Sequence, residues 1–255
     1  MDNYFCLKLL NNYTMPNLSP WLANTLEKVI LNKIHEVTVA ETVMLSDHLK
    51  QVTFQATNEL DLVPGNGILI EVNVTEYRYY TIADFNREAN TCQVIFYLKP
   101  QGLGSAWAKS VRKGDGLKFI IDQAEIQYEY HANQHFFFGD ETSLGLYESF
   151  GKTAKNLEHE YFGILEMKEE NHPALKNIKL LIDAVSSEVM FPAENAIEWM
   201  ENMHPKCWDM WKGAKFYLTG REKSVQRFKK YLKNKGVGYP QIQCTSYWEN
   251  GKTAY

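Results

Sequence analysis

The feature that most constrains this chain is a change of hydrophobic period near residue 131. Before it, short alternating runs dominate: Val37-Thr-Val39, Val43-Met-Leu45, Gln51-Val-Thr-Phe54, Ile68-Leu-Ile70-Glu-Val72, Thr91 to Leu98 and Leu117 to Ile121. Turn residues punctuate them at Ser46-Asp47, Asn58, Pro64-Gly65-Asn66-Gly67, Asn86, Pro100 and Gly114-Asp115-Gly116. Short strands so spaced predict a small antiparallel barrel, interrupted by one helical insertion from Ser105 to Val111. After the change, His135-Phe-Phe-Phe138 is a continuous apolar run ending in Gly139, followed by a helical stretch through Phe150. Further strands are expected at Tyr161–Met167, Ile178–Ile182, Ala214–Leu218 and Ile242–Tyr247. Helices at about Ala193–Met203 and Glu222–Lys235 alternate with them. Strands alternating with helices imply a mostly parallel sheet covered on its faces.

Two domains follow, with the boundary near His131-Ala132-Asn133. Residues 1–132 form the antiparallel barrel, preceded by a helix at about 19–34 with Ser19 placed to cap it and Pro20 at its first position. Residues 133–255 form a Rossmann-like α/β domain. The cleft between two such domains is where ligands preferentially sit.

The totals narrow the class. Over 255 residues, 45% are apolar and 23% charged, as in a soluble globular protein. A formal net charge of −4 gives no general reason to expect nucleic-acid binding. Cys6, Cys92, Cys207 and Cys244 lie far apart with no CxxC pair, which fits unpaired thiols in a reducing compartment. The start lacks a basic n-region and a long apolar core, and no apolar run approaches the ~20 residues a membrane span needs. A cytoplasmic protein without a membrane span is expected. No two histidines pair at a metal-binding spacing, so no protein metal site is expected.

Three segments carry candidate chemistry. Tyr77-Arg78-Tyr79-Tyr80-Thr81-Ile82 reads as a strand with Arg78 and Tyr80 on one face, Tyr79 and Thr81 on the other. An arginine can fork onto a phosphate, a tyrosine can cover a flat heterocycle and a threonine can hydrogen-bond, capacities that suit a flavin nucleotide. The alternative is a plain antiparallel strand with its arginine in solvent. Gln101-Gly102-Leu103-Gly104-Ser105-Ala106-Trp107-Ala108 is a glycine-containing turn opening a helix, whose free N–H groups favour a phosphate. There Gly102 and Gly104 permit close approach, and Ser105 can cap the helix or bind an anion. An ordinary capped helix fits the same residues. Phe138-Gly139-Asp140-Glu141-Thr142-Ser143-Leu144-Gly145 reads as the first strand-turn-helix of a dinucleotide domain, although it is not GxGxxG.

Together, in this order, the segments resemble the siderophore-interacting proteins of the ferredoxin–NADP reductase superfamily. Arg78-x-Tyr80-Thr81 resembles the superfamily's flavin motif, and Gly102 to Ala108 followed by Lys113-Gly114-Asp115 resembles GPASRWA…GD. Phe138 to Leu144 resembles the GDETAL segment. Thr219-Gly220-Arg221 and Tyr247-Trp248-Glu249-Asn250-Gly251 resemble the AGE…YWRxG tail, and Leu49 to Phe54 an early barrel strand. The resemblance implies FAD-dependent reduction of a ferric siderophore, with electrons from NADH, NADPH or ferredoxin. It places FAD on Arg78, Tyr79, Tyr80, Thr81, Lys99, Gly102, Gly104, Ser105, Ala106 and Trp107, with Tyr80 on the flavin and Thr81 near N5 as the catalytic positions. It places the nicotinamide nucleotide on Gly139, Asp140, Glu141, Thr142, Gly220 and Arg221. Lys50 is a candidate cation for the substrate, and Tyr255 a candidate cover for the flavin. A general NAD(P)H–flavin reductase and a non-catalytic flavin or siderophore binder remain alternatives.

This chain departs from the pattern at four places. Leu103 replaces a proline and Ala106 an arginine in the phosphate loop, where Lys99 is the candidate substitute. Arg221 stands where the family has glutamate, as a candidate partner for a 2′-phosphate or a solvated helix start. Glu249 stands where the family has arginine.

Overall fold

The structure, a computed structural model, describes residues 34–73, 76–122 and 125–249. The helix expected at 19–34 and the flavin-covering role of Tyr255 therefore lie outside the described residues.

The first half is a closed antiparallel barrel in the order β1-β2-β5-β4-β3-β6. Its strands are β1 (Ile34–Ser46), β2 (Leu49–Ala56), β3 (Gly67–Asn73), β4 (Glu76–Asn86), β5 (Thr91–Tyr97) and β6 (Gly116–Asp122). The two runs expected at Val37–Val39 and Val43–Leu45 are one strand, with a register shift between Val39 and Glu41. Such a bulge re-phases the alternation, so one strand reads as two. The barrel closes where Ile34 pairs with Ile120. Its interior holds Val52, Phe54, Ile68, Ile70, Val94 and Phe119, all essentially inaccessible, each contributing about 1.5–3 kcal/mol by burial. Helix α1 (Leu103–Ser110) leaves the barrel between β5 and β6.

The second half is a five-stranded parallel sheet in the order β11-β10-β7-β8-β9. These strands are β7 (Gln134–Asp140), β8 (Glu160–Met167), β9 (Asp183–Ser186), β10 (Lys215–Leu218) and β11 (Ile242–Cys244), with helices α2 (Leu144–Asn156), α3 (Glu194–Glu201), α4 (Pro205–Trp211) and α5 (Glu222–Asn234). Along β7, Phe136 and Phe138 join one core with Phe216 and Phe228. Phe137 joins another with Tyr147, Phe150 and Tyr217, so a sheet buried on both faces has an unbroken apolar strand. The second core also takes Leu49, Ala83 and Ile95 from the barrel, welding the two halves.

One expected strand is absent and one further helix is present. Ile178–Ile182 is not a strand: the helical turn Ala174–Asn177 runs into a loop where Lys179 has φ 56°, and the strand begins at Asp183. Leu180 and Ile182 are apolar because they pack in the core, not because they pair. Helix α4 opens with Pro205 at its first position, where a proline needs no N–H donor.

Candidate functional site

Between barrel and sheet lies a cavity of about 760 Å³. Its barrel wall is Arg78 to Thr81 of β4 with Ile95, Tyr97 and the stretch Lys99–Ser105; its sheet wall is Thr142, Gly145, Lys168 and Tyr247–Glu249. All four residues of the Arg78–Thr81 segment line it, although alternation sends them to opposite faces. Arg78 and Tyr80 stand opposite Ile70 and Ile68, on the side of helix α1, while Tyr79 and Thr81 stand opposite Leu69 and Gly67. The cavity touches both faces of β4.

Arg78 Nη1 donates to Glu76 Oε2 and to the Tyr77 carbonyl, each at 2.7 Å, which fixes the guanidinium at the cavity edge. The Tyr80 ring meets Phe96 edge-on at 4.6 Å, and burial raises its phenol to about 12. A Cβ on Gly104 would lie 2.2 Å from the Tyr80 hydroxyl. Gly104 is therefore small to admit Tyr80. Gly102, at φ 137°, is the helix cap, a conformation glycine tolerates. The first-turn amides of Leu103, Gly104 and Ser105 have no intrahelical acceptor, and the three residues line the cavity.

Several expected site residues do other work. Ser105 is not the cap: its Oγ accepts from Lys99 N–H at 3.0 Å and lies 3.3 Å from the Tyr97 carbonyl. Trp107 packs on Phe96 in the barrel core at 5.6 Å, and neither it nor Ala106 lines the cavity. Lys50 is not at the cleft. It is buried, and its Nζ donates to the carbonyls of Ala108 (2.9 Å) and Val111 (2.5 Å), closing the C-terminal end of α1. Lys99 does reach the cavity, with Nζ 3.1 Å from the Trp248 ring centroid. Burial first, with the Arg221 charge adding, lowers its ammonium to about 8 against the pull of Asp140, Glu141 and Glu249.

The turn after β7 is turned inward. Asp140 Oδ1 accepts from Thr142 N–H at 2.8 Å and from the Thr142 hydroxyl. Oδ2 accepts from Arg221 N–H and from Trp248 Nε1, both at 2.8 Å. Glu141 Oε1 accepts from Lys168 N–H (2.8 Å) and Asn171 Nδ2 (2.9 Å), while burial raises its carboxyl. Gly139 lacks a side chain because a Cβ would lie 2.4 Å from Ser143 Oγ, and Gly220, at φ 106°, because one would lie 2.6 Å from Asp140 Oδ2. Of this group only Thr142 lines the cavity.

The departures at 221 and 249 are one feature. Arg221 Nε and Glu249 Oε1 form an ion pair at 3.1 Å, with both side chains buried. Arg221 Nη1 also donates to the Val189 carbonyl at 3.0 Å, and Glu249 Oε2 accepts from Lys223 N–H at 3.0 Å in the first turn of α5. Arg221 is thus neither a solvated helix start nor a guanidinium free for a 2′-phosphate. Relative to the pattern, the two charges are exchanged and meet each other.

The chain aligns with a siderophore-interacting protein from Acinetobacter baumannii at TM-score 0.71 and 15% identity, over 86% of this chain and 92% of that one. The fold is that of the siderophore-interacting proteins. SipS of Aeromonas hydrophila aligns at TM-score 0.68 and 18% identity, over 87% and 93%. A ferredoxin reductase in carbazole 1,9a-dioxygenase aligns at 0.70 and 15%, over 84% and 69%. No protein-family model and no curated protein matches the chain. No helix among the described residues is long and apolar enough to cross a membrane.

Sequence reasoning missed Tyr97, Gly145 and Lys168 on the cavity wall. Tyr247 and Trp248 of the tail segment also line it. The run Tyr97-Leu98-Lys99-Pro100, an aromatic and a cation closing a strand before a glycine turn, was the available signal for Tyr97.

Proposed function

We propose that the chain is an FAD-dependent reductase of a ferric siderophore, drawing electrons from NADH, NADPH or ferredoxin in the cytoplasm. In this reading residues 1–132 bind FAD and 133–255 the pyridine nucleotide. The observation that carries it is one cavity lined both by Arg78–Thr81 and by the amide-rich start of α1. The lining suits FAD: a guanidinium and three first-turn amides without intrahelical acceptors stand beside a tyrosine ring.

In this assignment Arg78, the Leu103–Ser105 amides and Lys99 hold the diphosphate, with Lys99 as the cation in place of the absent arginine. Tyr80 offers its ring to the flat system, and Thr81, 8% exposed, holds a hydrogen at the edge near N5. Gly139, Thr142 and Gly220 shape the dinucleotide side, where Asp140 fixes the turn and Trp248 closes it. Bound flavin supplies conversion of a two-electron hydride donor into single electrons, and iron released as Fe(II) leaves its hard oxygen chelator.

The engagement of Lys50 on α1 removes the candidate substrate cation and favours one rival, a general NAD(P)H–flavin reductase without siderophore preference. Absorption of the purified protein decides first: colourless protein that takes up no added FAD overturns both readings. Bleaching by NADH, NADPH or reduced ferredoxin, then reoxidation by ferric siderophore faster than by free flavin, supports the first. Arg78→Ala lowers FAD affinity at least tenfold; wild-type occupancy would refute the role given to Arg78.

A further inference from the structure

Lys99 follows β5 on the barrel wall of the cavity, and Trp248 follows β11 on the sheet wall. Their contact crosses from one wall to the other, with the ammonium nitrogen 3.1 Å from the centre of the indole ring. Each partner is held from behind. The Lys99 backbone N–H donates to Ser105 Oγ at 3.0 Å. The indole N–H donates to Asp140 Oδ2 at 2.8 Å, and the Trp248 carbonyl accepts from Glu222 N–H at 2.9 Å. Trp248 also pairs with Arg221 in an isolated parallel bridge. The ring therefore presents a fixed face to the ammonium.

An aromatic face attracts a cation through its quadrupole, most strongly when the ring is tryptophan and water is excluded. A carboxylate in the same place would hold the ammonium too. It would also occupy hydrogens that an ammonium can give to a phosphate, and it would set a negative charge beside the diphosphate. In this cavity the nearby acid, Asp140, takes the indole N–H instead. Lys99 gains from such support. Burial lowers its ammonium to about 8; Asp140 and Glu141 after β7 and Glu249 of the tail favour the charge, and Arg221 at the start of α5 opposes it. The Tyr97 ring of β5 lies farther from Nζ, at 5.8 Å.

We propose that Trp248 is a positioning residue, whose indole face keeps the Lys99 ammonium charged and in place for the FAD diphosphate. This rests on the flavin reading above. The barrel supplies the cation, and the α/β half supplies the surface that holds it. Without the ring, the buried ammonium gives up its proton at lower pH, and its hold on the diphosphate goes with it.

The test titrates the full chain with FAD at a series of pH values and reads the pH at which affinity begins to fall. Trp248→Leu lowers that midpoint by about one pH unit, the size of a desolvated cation–π contact. Loss of the indole N–H alone would act in the opposite sense, because an Asp140 carboxylate short of a donor favours the ammonium more strongly. The direction therefore separates the ring face from the hydrogen bond. In Lys99→Met the step is absent, with or without Trp248→Leu. If Trp248→Leu does not fold, the wild-type chain labelled with ¹⁵N-tryptophan serves: one of its six indole signals moves with the same midpoint and stays still in Lys99→Met. A midpoint unmoved or raised by Trp248→Leu with FAD still bound, or indole signals indifferent to Lys99, overturns the role of Trp248 and leaves the flavin reading standing. Protein that binds no FAD overturns that reading itself, and this inference with it.

Discussion

The exchanged pair at 221 and 249 makes the sharpest stability prediction. The side chains of Arg221 and Glu249 are 10% and 3% exposed, so neither charge is left to water if its partner goes. Arg221→Gln strips the guanidinium from a buried carboxylate and frees the Val189 carbonyl it held. Glu249→Gln leaves a buried guanidinium and weakens the contact with Lys223 N–H. Breaking a buried pair costs about 3–5 kcal/mol, which for a chain of this size lowers the midpoint by on the order of 10 °C. Removing both charges together, in Arg221→Met with Glu249→Leu, costs less than the two singles combined by about 2–3 kcal/mol, because no charge is stranded. Urea unfolding of the three variants, read by tryptophan fluorescence, measures the coupling. Additive singles, or a single costing under about 1 kcal/mol, would show that the pair is not coupled and would sink the argument.

Other outcomes follow from the same geometry. His135 is fully buried among Tyr128, His159 and Tyr217; burial first, then the His159 charge, lowers it to about 4, against Glu129 and the Ala132 backbone. The unfolded chain binds this proton from about pH 6.5, so stability is full above that and falls by up to about 3 kcal/mol as pH drops toward 4. His135→Gln should flatten that slope in urea titrations. Lys99 loses its charge above about pH 8, so the dissociation constant for FAD should rise several-fold from about pH 7 to 9.5, but stay flat in Lys99→Met. Gly220→Ala drives a Cβ into Asp140 at a positive φ and should cost more than about 2 kcal/mol by thermal unfolding.

What the sequence discloses depends on whether the determinant is local. Strand alternation in the barrel and the unbroken Phe136–Phe138 run are local, and both halves of the fold are legible from them. Ile178–Ile182 misleads because apolar spacing records burial, and burial is met there by a loop with Lys179 in a left-handed conformation. Site residues divide in the same way. The cavity is lined by Arg78–Thr81 and the Gly102 turn, where the chemistry lies in the residues themselves. Lys50, Arg221 and Glu249 are decided by partners across the fold. A charged residue looks the same in sequence whether it awaits a ligand or is already engaged.

Asp140 has a further implication for how the molecule is made. Its carboxylate waits for donors 81 and 108 positions later, at Arg221 and Trp248. During synthesis the barrel emerges whole, while the turn beside it keeps an acid short of two donors until Arg221 and Trp248 have left the ribosome. The wall facing the cleft is finished after the barrel, so a nascent chain can enclose a hydrophobic interior well before it can close around a guest.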